Sequence, residues 1–185
     1  MNPLFRKPHA IALTFVLIAS LGAHVVRAQD TRAGAEPLIR TAVYESCLAT
    51  LTGDAKLYRS HIVRRTIELY RLVFEGFKEV PDYAAILKDN NLDTVEKFID
   101  ASFKAGAAQW VNLSKDEVEQ RARAQSNGKL TFLSDQEAIL EFGGSTMRIV
   151  FEDKAWKIDE TEDGKKMFLD NFHLTGATRA KIEKL

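Results

Sequence analysis

The spacing of apolar residues changes once along the chain, from a helical period before Gly128 to a strand period after it. From Pro37 onward, apolar positions recur every three or four residues until Gly53-Asp54 interrupts them, which predicts a first helix. The same spacing returns after Gly53 and predicts a long second helix. Further helices follow by the same reasoning, so the predicted helices are 37–52, 55–78, 83–87, 95–106 and 114–127.

The sharpest local signal in the sequence is a capping box. Ser114 is followed three residues later by Glu117, a spacing in which each side chain bonds the other residue's backbone N–H. Leu113 and Val118 occupy the two positions of a hydrophobic staple. We therefore expect a helix to begin directly after Ser114 and to end at Asn127-Gly128.

After Gly128, apolar and polar residues alternate in four short runs separated by turn-forming residues. Alternation with a period of two is typical of strands that bury one face. Four such strands in series predict an antiparallel meander with one apolar and one charged face, which the preceding helices must cover. The predicted fold class is α+β, with N-terminal helices packed on a curved antiparallel sheet of about four strands. The runs cover 129–132, 137–142, 146–151 and 156–159.

The N-terminal segment has the pattern of an export signal. Arg6 and Lys7 precede an uncharged apolar run over 10–23, and a small-x-small site ends at Ala28. This pattern is typical of a Sec signal peptide, and the run is short for a membrane span. We predict cleavage after Ala28 and a periplasmic or secreted product. The predicted domain organisation is 1–28 signal peptide, 29–36 flexible lead-in, 37–175 single α+β domain and 176–185 C-terminal tail.

Composition and charge exclude several function classes. The 26 basic and 26 acidic residues cancel, and cleavage after Ala28 would leave 23 against 26, a net charge of −3. No basic field is therefore expected to hold nucleic acid or an anionic membrane. Cys47 is the single cysteine of the chain, so an intrachain disulfide framework and a cysteine-rich metal site are both excluded.

The sequence offers little catalytic or metal-binding chemistry. Cys47 lies on the apolar stripe of the first helix, where a buried thiol is expected. His61 is interpreted as solvated and His173 as part of a polar tail. Acidic segments at 89–100 and 159–170 resemble calcium loops only superficially, and we interpret the second as a turn after the last strand. We therefore expect no metal. No glycine-rich phosphate loop is present in the sequence, so we expect no cofactor.

The closing hairpin, with the sequence MRIVFEDKAWKIDE at 147–160, and the helix pair broken by Gly53-Asp54 carry a family resemblance. In both features the chain resembles the nuclear-transport-factor-2-like superfamily, also called SnoaL-like or cystatin-like cone proteins. The resemblance implies that a bent sheet wraps a long helix and leaves a cone-shaped pocket. The superfamily includes isomerases, dehydratases and binding modules, so it implies a fold more strongly than a function.

The predicted apolar strand face carries no acid and no histidine, and Glu160 follows in phase at its end as a solvated strand terminus. We therefore predict no catalytic residues and an exported, non-catalytic protein whose pocket binds a small apolar ligand or a protein partner. The first alternative is an isomerase- or dehydratase-like enzyme that uses Glu160 and a tyrosine. The second is a module that forms homodimers through the charged outer face of the sheet. The candidate pocket residues are Tyr44, Tyr58, Tyr70, Phe132, Phe142, Met147, Trp156 and Glu160.

Overall fold

A computed structural model describes residues 32–174 and 176–185. The predicted signal peptide, its cleavage site after Ala28 and residues 29–31 of the lead-in lie outside the described residues. The chain divides after Pro37 into two units, and the fold given below belongs to the second unit, Leu38–Leu185. None of the helices in the described ranges combines the length and apolar character that a membrane span requires.

Over the described residues, the chain forms eight α-helices and one four-stranded antiparallel sheet, which confirms the predicted α+β class. The first helix, α1, covers residues 32–52. The other helices are α2 (Ala55–Ser60), α3 (Arg64–Glu79), α4 (Pro81–Asp89), α5 (Val95–Ala107), α6 (Lys115–Ser126), α7 (Thr161–Asn171) and α8 (Gly176–Lys184). A 3-10 turn, Ala108–Trp110, follows α5. The strands are β1 (Lys129–Phe132), β2 (Glu137–Phe142), β3 (Ser145–Glu152) and β4 (Ala155–Asp159).

The sheet is the predicted meander, with strand order β1-β2-β3-β4. Its last two hairpins each have a two-residue loop, at Gly143-Gly144 and at Asp153-Lys154. All four loop residues have φ between 54° and 82°, the left-handed conformation that matches the twist of a hairpin. Glycine adopts this conformation freely, whereas Asp153 and Lys154 adopt it at some cost.

The predicted capping box is confirmed. The Ser114 hydroxyl accepts a hydrogen bond from the backbone N–H of Glu117, and the Glu117 carboxylate accepts one from the backbone N–H of Ser114. Helix α6 consequently begins at Lys115. It ends at Ser126, and Asn127 is its C-cap.

The predicted single helix over 55–78 is wrong, because the chain leaves the helical conformation at 61–63. There Ile62 forms a parallel bridge with Ile158 of β4. The Val63 N–H donates to the Ile158 carbonyl at 3.0 Å, and the Ile158 N–H donates to the His61 carbonyl at 2.7 Å. This pairing satisfies β4 on its free edge and overrides the helical spacing of the side chains.

The predicted C-terminal tail over 176–185 is also wrong, as is the predicted turn after the last strand. Residues 161–171 form α7, and α8 packs against α3 with Ile182 fully buried. An added Cβ on Gly76 of α3 would lie 2.9 Å from Thr178 of α8, so the two helices meet at this glycine. The Thr178 hydroxyl also donates to Glu79 at 2.8 Å.

The predicted flexible lead-in over 29–36 is corrected for its described part. Residues 32–36 are helical and form the beginning of α1. Alanine, arginine and glutamate at 32, 33, 35 and 36 all have high helix propensity, and this outweighs the lack of an apolar pattern.

Candidate functional site

A cavity of about 470 Å³ lies between helices α1, α2, α3, α5 and α7, beside the end of β4. Its floor consists of buried or half-buried side chains, most of them aromatic. Its rim consists of exposed side chains that leave the cavity open to solvent. The floor residues are Tyr58, Tyr70, Phe103, Glu160, Phe168 and Phe172, and the rim residues are Thr50, Ser102, Gly106, Gln109 and Met167.

The aromatic rings of the floor pack against one another. The Tyr58 and Phe103 ring centroids are 4.1 Å apart, and Tyr70 meets Phe168 edge-on at 5.7 Å. Phe168 in turn lies 5.8 Å from Phe172. These contacts fix the rings in place, so the floor is held in shape before any ligand arrives.

Glu160 is the carboxyl group of this cavity. It follows β4 directly and is the N-cap residue of α7, where its side chain makes no capping hydrogen bond. The Tyr58 hydroxyl donates a hydrogen bond to Glu160 Oε2. Tyr58 itself is buried on α2, with 1% of its surface exposed. The sequence had predicted a solvated strand end at Glu160, and the structure instead shows a half-buried, hydrogen-bonded carboxyl group.

Burial raises the pKa of the Glu160 carboxyl. The hydrogen bond from Tyr58 favours the charged form and opposes this effect, whereas the negative charges of Asp163 and Asp159 add to it. The pKa of the Tyr58 hydroxyl is also raised, first by burial and then by the charge of Glu160. The pKa of Tyr70 is raised to about 12 by the same two causes. Both tyrosines are therefore neutral hydrogen-bond donors at physiological pH.

A second cavity, of about 350 Å³, adjoins the first and shares Tyr70, Glu160 and Met167 with it. Its other lining residues come from β2, β3, the end of β4 and the first turns of α7, and they include three ionisable groups. Two of these groups are engaged elsewhere: Arg148 donates to Glu137 at 2.7 Å, and Asp159 accepts from Arg65. The remaining lining residues are Phe142, Thr146, Met147, Arg148, Asp159, Asp163 and Gly164.

The eight predicted pocket residues are not brought together in one place. Tyr58, Tyr70 and Glu160 line the first cavity, and Phe142 and Met147 line the second. Three others line neither cavity. Tyr44 lies under the guanidinium of Arg123 at 5.4 Å, and the Phe132 and Trp156 rings pack together at 6.2 Å.

Sequence reasoning missed the helical half of the cavity. Phe103 lies on the apolar stripe of the predicted helix over 95–106, and no pocket role is predicted for it. Phe168 and Phe172 were overlooked because the segment after β4 was interpreted as a turn. The pair Phe168 and Phe172, four residues apart, was the available helical signal. Gly164 concealed this signal, because glycine is a poor helix former. In the structure an added Cβ on Gly164 would lie 2.7 Å from Leu69 of α3, so the glycine allows α7 to approach α3.

Other groups with chemical potential lie apart from the cavity. The Cys47 thiol is buried and donates to Gln125, and burial raises its pKa to about 12, so it is not a nucleophile. His61 was predicted to be solvated, but its Nε2 lies 2.8 Å from a carboxylate oxygen of Glu45. In the described part of the chain, no three His, Cys, Asp or Glu side chains are placed to hold a metal ion.

No protein-family model, no curated protein and no solved structure matches this chain.

Proposed function

We propose that the protein binds a small, mainly apolar molecule in the cavity above Tyr58, Tyr70 and Phe168. The single observation that carries this proposal is the aromatic floor with one hydrogen-bonded carboxyl group set into it. Ligand sites of proteins are concave, mostly apolar and equipped with a few fixed polar groups, as this cavity is. Its volume of about 470 Å³ is within the range of small-molecule sites.

The proposal extends to family and location. Helices that cover an antiparallel meander support the resemblance to the nuclear-transport-factor-2-like superfamily, which stays a prediction. The sequence pattern before Gln29 supports export to the periplasm or the exterior, as a soluble carrier or sensor of such a ligand. Binding of a protein partner and formation of a homodimer through the sheet likewise remain predictions.

The first test uses a cavity-filling variant. Gly106 lies in α5 at the rim, and an added Cβ there would have no atom within 4 Å. We expect Gly106→Leu to occupy the mouth and weaken binding of the neutral dye N-phenyl-1-naphthylamine by tenfold or more. The fluorescence of this dye rises when it leaves water, so titration measures the affinity directly.

Gly106→Ala is the matched control, because it adds a single methyl group and should leave dye affinity within about twofold of wild type. Both variants should unfold at or above the wild-type temperature, since glycine is a poor helix former. Equal dye binding by wild type and Gly106→Leu would place the dye elsewhere, and no binding by wild type would refute the proposal.

A second candidate function is acid–base catalysis of the isomerase or dehydratase kind, and the Glu160–Tyr58 pair is the observation that favours it. A carboxyl group whose pKa is raised by burial accepts and returns a proton more readily near neutral pH. Tyr58 already donates its proton to Glu160, but the neutral hydroxyl of Tyr70, which lines the same cavity, is a donor for a developing oxyanion.

The test for this candidate is the conversion of 3-cyclohexen-1-one to its conjugated isomer, followed by ultraviolet absorbance. We expect Glu160→Gln to lower the rate by about a hundredfold, the usual loss when a general base is removed. Glu162→Gln is the control, because this exposed carboxylate is two residues away and lines neither cavity. A wild-type rate equal to that of buffer would eliminate the candidate.

A further inference from the structure

Glu160 has no positively charged partner among the described residues. Within the described ranges its carboxyl group accepts one hydrogen bond, from the neutral Tyr58 hydroxyl, and the charges that act on it are those of the Asp163 and Asp159 carboxylates. Asp159 is paired with Arg65 and lies 3.6 Å from a guanidinium nitrogen of Arg148, whereas Asp163 has no ion-pair partner within the described ranges. The wall shared by the two cavities therefore carries, in Glu160, a carboxyl group that no cation of the described residues neutralises, and Asp163 adds a second such group to the lining of the second cavity.

The aromatic floor of the first cavity, which Glu160 also lines, is suited to a cation. Tyr58, Tyr70, Phe103, Phe168 and Phe172 line the same cavity. The face of an aromatic ring carries partial negative charge and attracts an ammonium group, most strongly when water is excluded. Rings beside an unpaired carboxyl group form the kind of cage that recognises ammonium ligands.

Given that the cavity binds a small apolar molecule, as proposed above, we propose that its ligand is an amphiphile with a positively charged nitrogen, which pairs with Glu160 while its hydrocarbon part lies on the aromatic floor. An ammonium group there would offset the repulsion of Asp159 and Asp163 on Glu160. It would also gain a charge-assisted hydrogen bond.

The same charges act against other ligands. An anionic amphiphile, such as a fatty acid, would bring a second carboxylate next to Glu160 and Asp163. Two neighbouring negative charges repel each other, and their repulsion is stronger in a cavity than in bulk water. A neutral alcohol would gain the apolar contact but no ion pair, so its affinity would lie between those of the cation and the anion.

The experiment compares three probes of equal chain length, n-hexylammonium, 1-hexanol and hexanoate, as competitors of the bound dye at pH 7. Hexylammonium is expected to bind about tenfold more tightly than hexanol, and hexanoate more weakly than either. In Glu160→Gln, the preference for the ammonium over the alcohol should fall below about twofold, with hexanol affinity unchanged. Glu162→Gln removes a neighbouring exposed charge and should keep the wild-type order.

The outcomes separate this inference from the function on which it rests. If hexanol binds wild type as tightly as hexylammonium, the cavity binds apolar molecules without charge selection, and the inference is overturned while the proposed function stands. An unchanged preference in Glu160→Gln also overturns it. If none of the three probes displaces the dye or binds by calorimetry, the inference is overturned, and the proposed function then stands or fails with the binding of the dye itself.

Discussion

Asp159→Ala is expected to lower the free energy of unfolding by about 2 kcal/mol, because it removes charge-assisted hydrogen bonds and leaves the N–H of the buried Thr161 without its acceptor. The Asp159 side chain is 2% exposed and accepts hydrogen bonds from both Nε and Nη2 of Arg65. It also accepts one from the backbone N–H of Thr161 at 3.2 Å. The carboxylate thereby fixes α3 to the junction of β4 and α7. Urea unfolding followed by circular dichroism measures the loss.

Glu68→Ala is the matched control, because it removes one carboxylate of an exposed pair. Glu68 bonds Arg71 three residues away on the surface of α3. Pairs of this kind contribute at most about 0.5 kcal/mol. Similar losses in the two variants would contradict the role given to Asp159.

The effect of Asp159 depends on pH in a defined direction. Burial disfavours its charge, but the hydrogen bonds from Arg65 and Thr161 outweigh burial and hold its pKa below the usual 3.8. Its contribution is thus complete above pH 3.8 and is lost as the pH falls through the lower folded value. We expect the gap between wild type and Asp159→Ala to narrow as the pH drops below about 4.

The contribution of Glu160, the next residue, to the free energy of unfolding has the opposite pH dependence. Since its folded pKa is raised above 4.5, its contribution is present below pH 4.5 and is lost as the pH rises through the folded value. The pH-dependent contributions of Asp159 and Glu160 therefore partly cancel when the free energy of unfolding of the wild type is measured against pH. The difference between wild type and Asp159→Ala isolates the first group, and the difference between wild type and Glu160→Gln isolates the second.

Local rules were sufficient for most of the fold. The capping box at Ser114, the alternation after Gly128 and the turn residues at 143–144 and 153–154 each depend on neighbours within a few residues. For such features, one stretch of sequence contains all the interacting groups. This is why the four strands and the start of α6 could be predicted.

Features that depend on distant partners could not be predicted. The break at 61–63 exists because Ile158, almost a hundred residues later, pairs with that segment. The burial of Glu160 likewise requires Tyr58 and the helices around it, none of which is visible in the strand pattern. An alternating pattern shows that Glu160 is in phase with the apolar face, but it cannot show that Tyr58 of α2 and Phe168 of α7 line the same cavity as this residue.

The cavity illustrates the same limit. The sequence located the pocket on the apolar face of the sheet, where Phe132 and Trp156 in fact pack against each other. Aromatic residues on a strand and on a helix look alike in a sequence, and only the packing decides which rings touch each other. The first cavity instead lies between the helices, where Phe103 of α5 and Phe168 of α7 line it.

Gly128→Ala is expected to cost about 3 kcal/mol or more, because the added methyl group would meet backbone rather than a movable side chain. Its Cβ would lie 2.4 Å from the Glu141 carbonyl oxygen and 3.1 Å from the Glu141 carbonyl carbon. Glu141 is paired with Lys129 at the start of β1, so the clash falls on the first pair of the β1–β2 ladder. Relief requires β1 to move away from β2.

Gly106→Ala provides the control for the glycine-to-alanine change itself. Its Cβ would have no neighbour within 4 Å, and in a helix the change should stabilise by about 0.5 kcal/mol. Urea unfolding of both variants should give opposite shifts of the midpoint. If Gly128→Ala unfolds at the wild-type urea concentration, the junction between α6 and β1 does not approach β2 as closely as described, and the β1–β2 register would need revision.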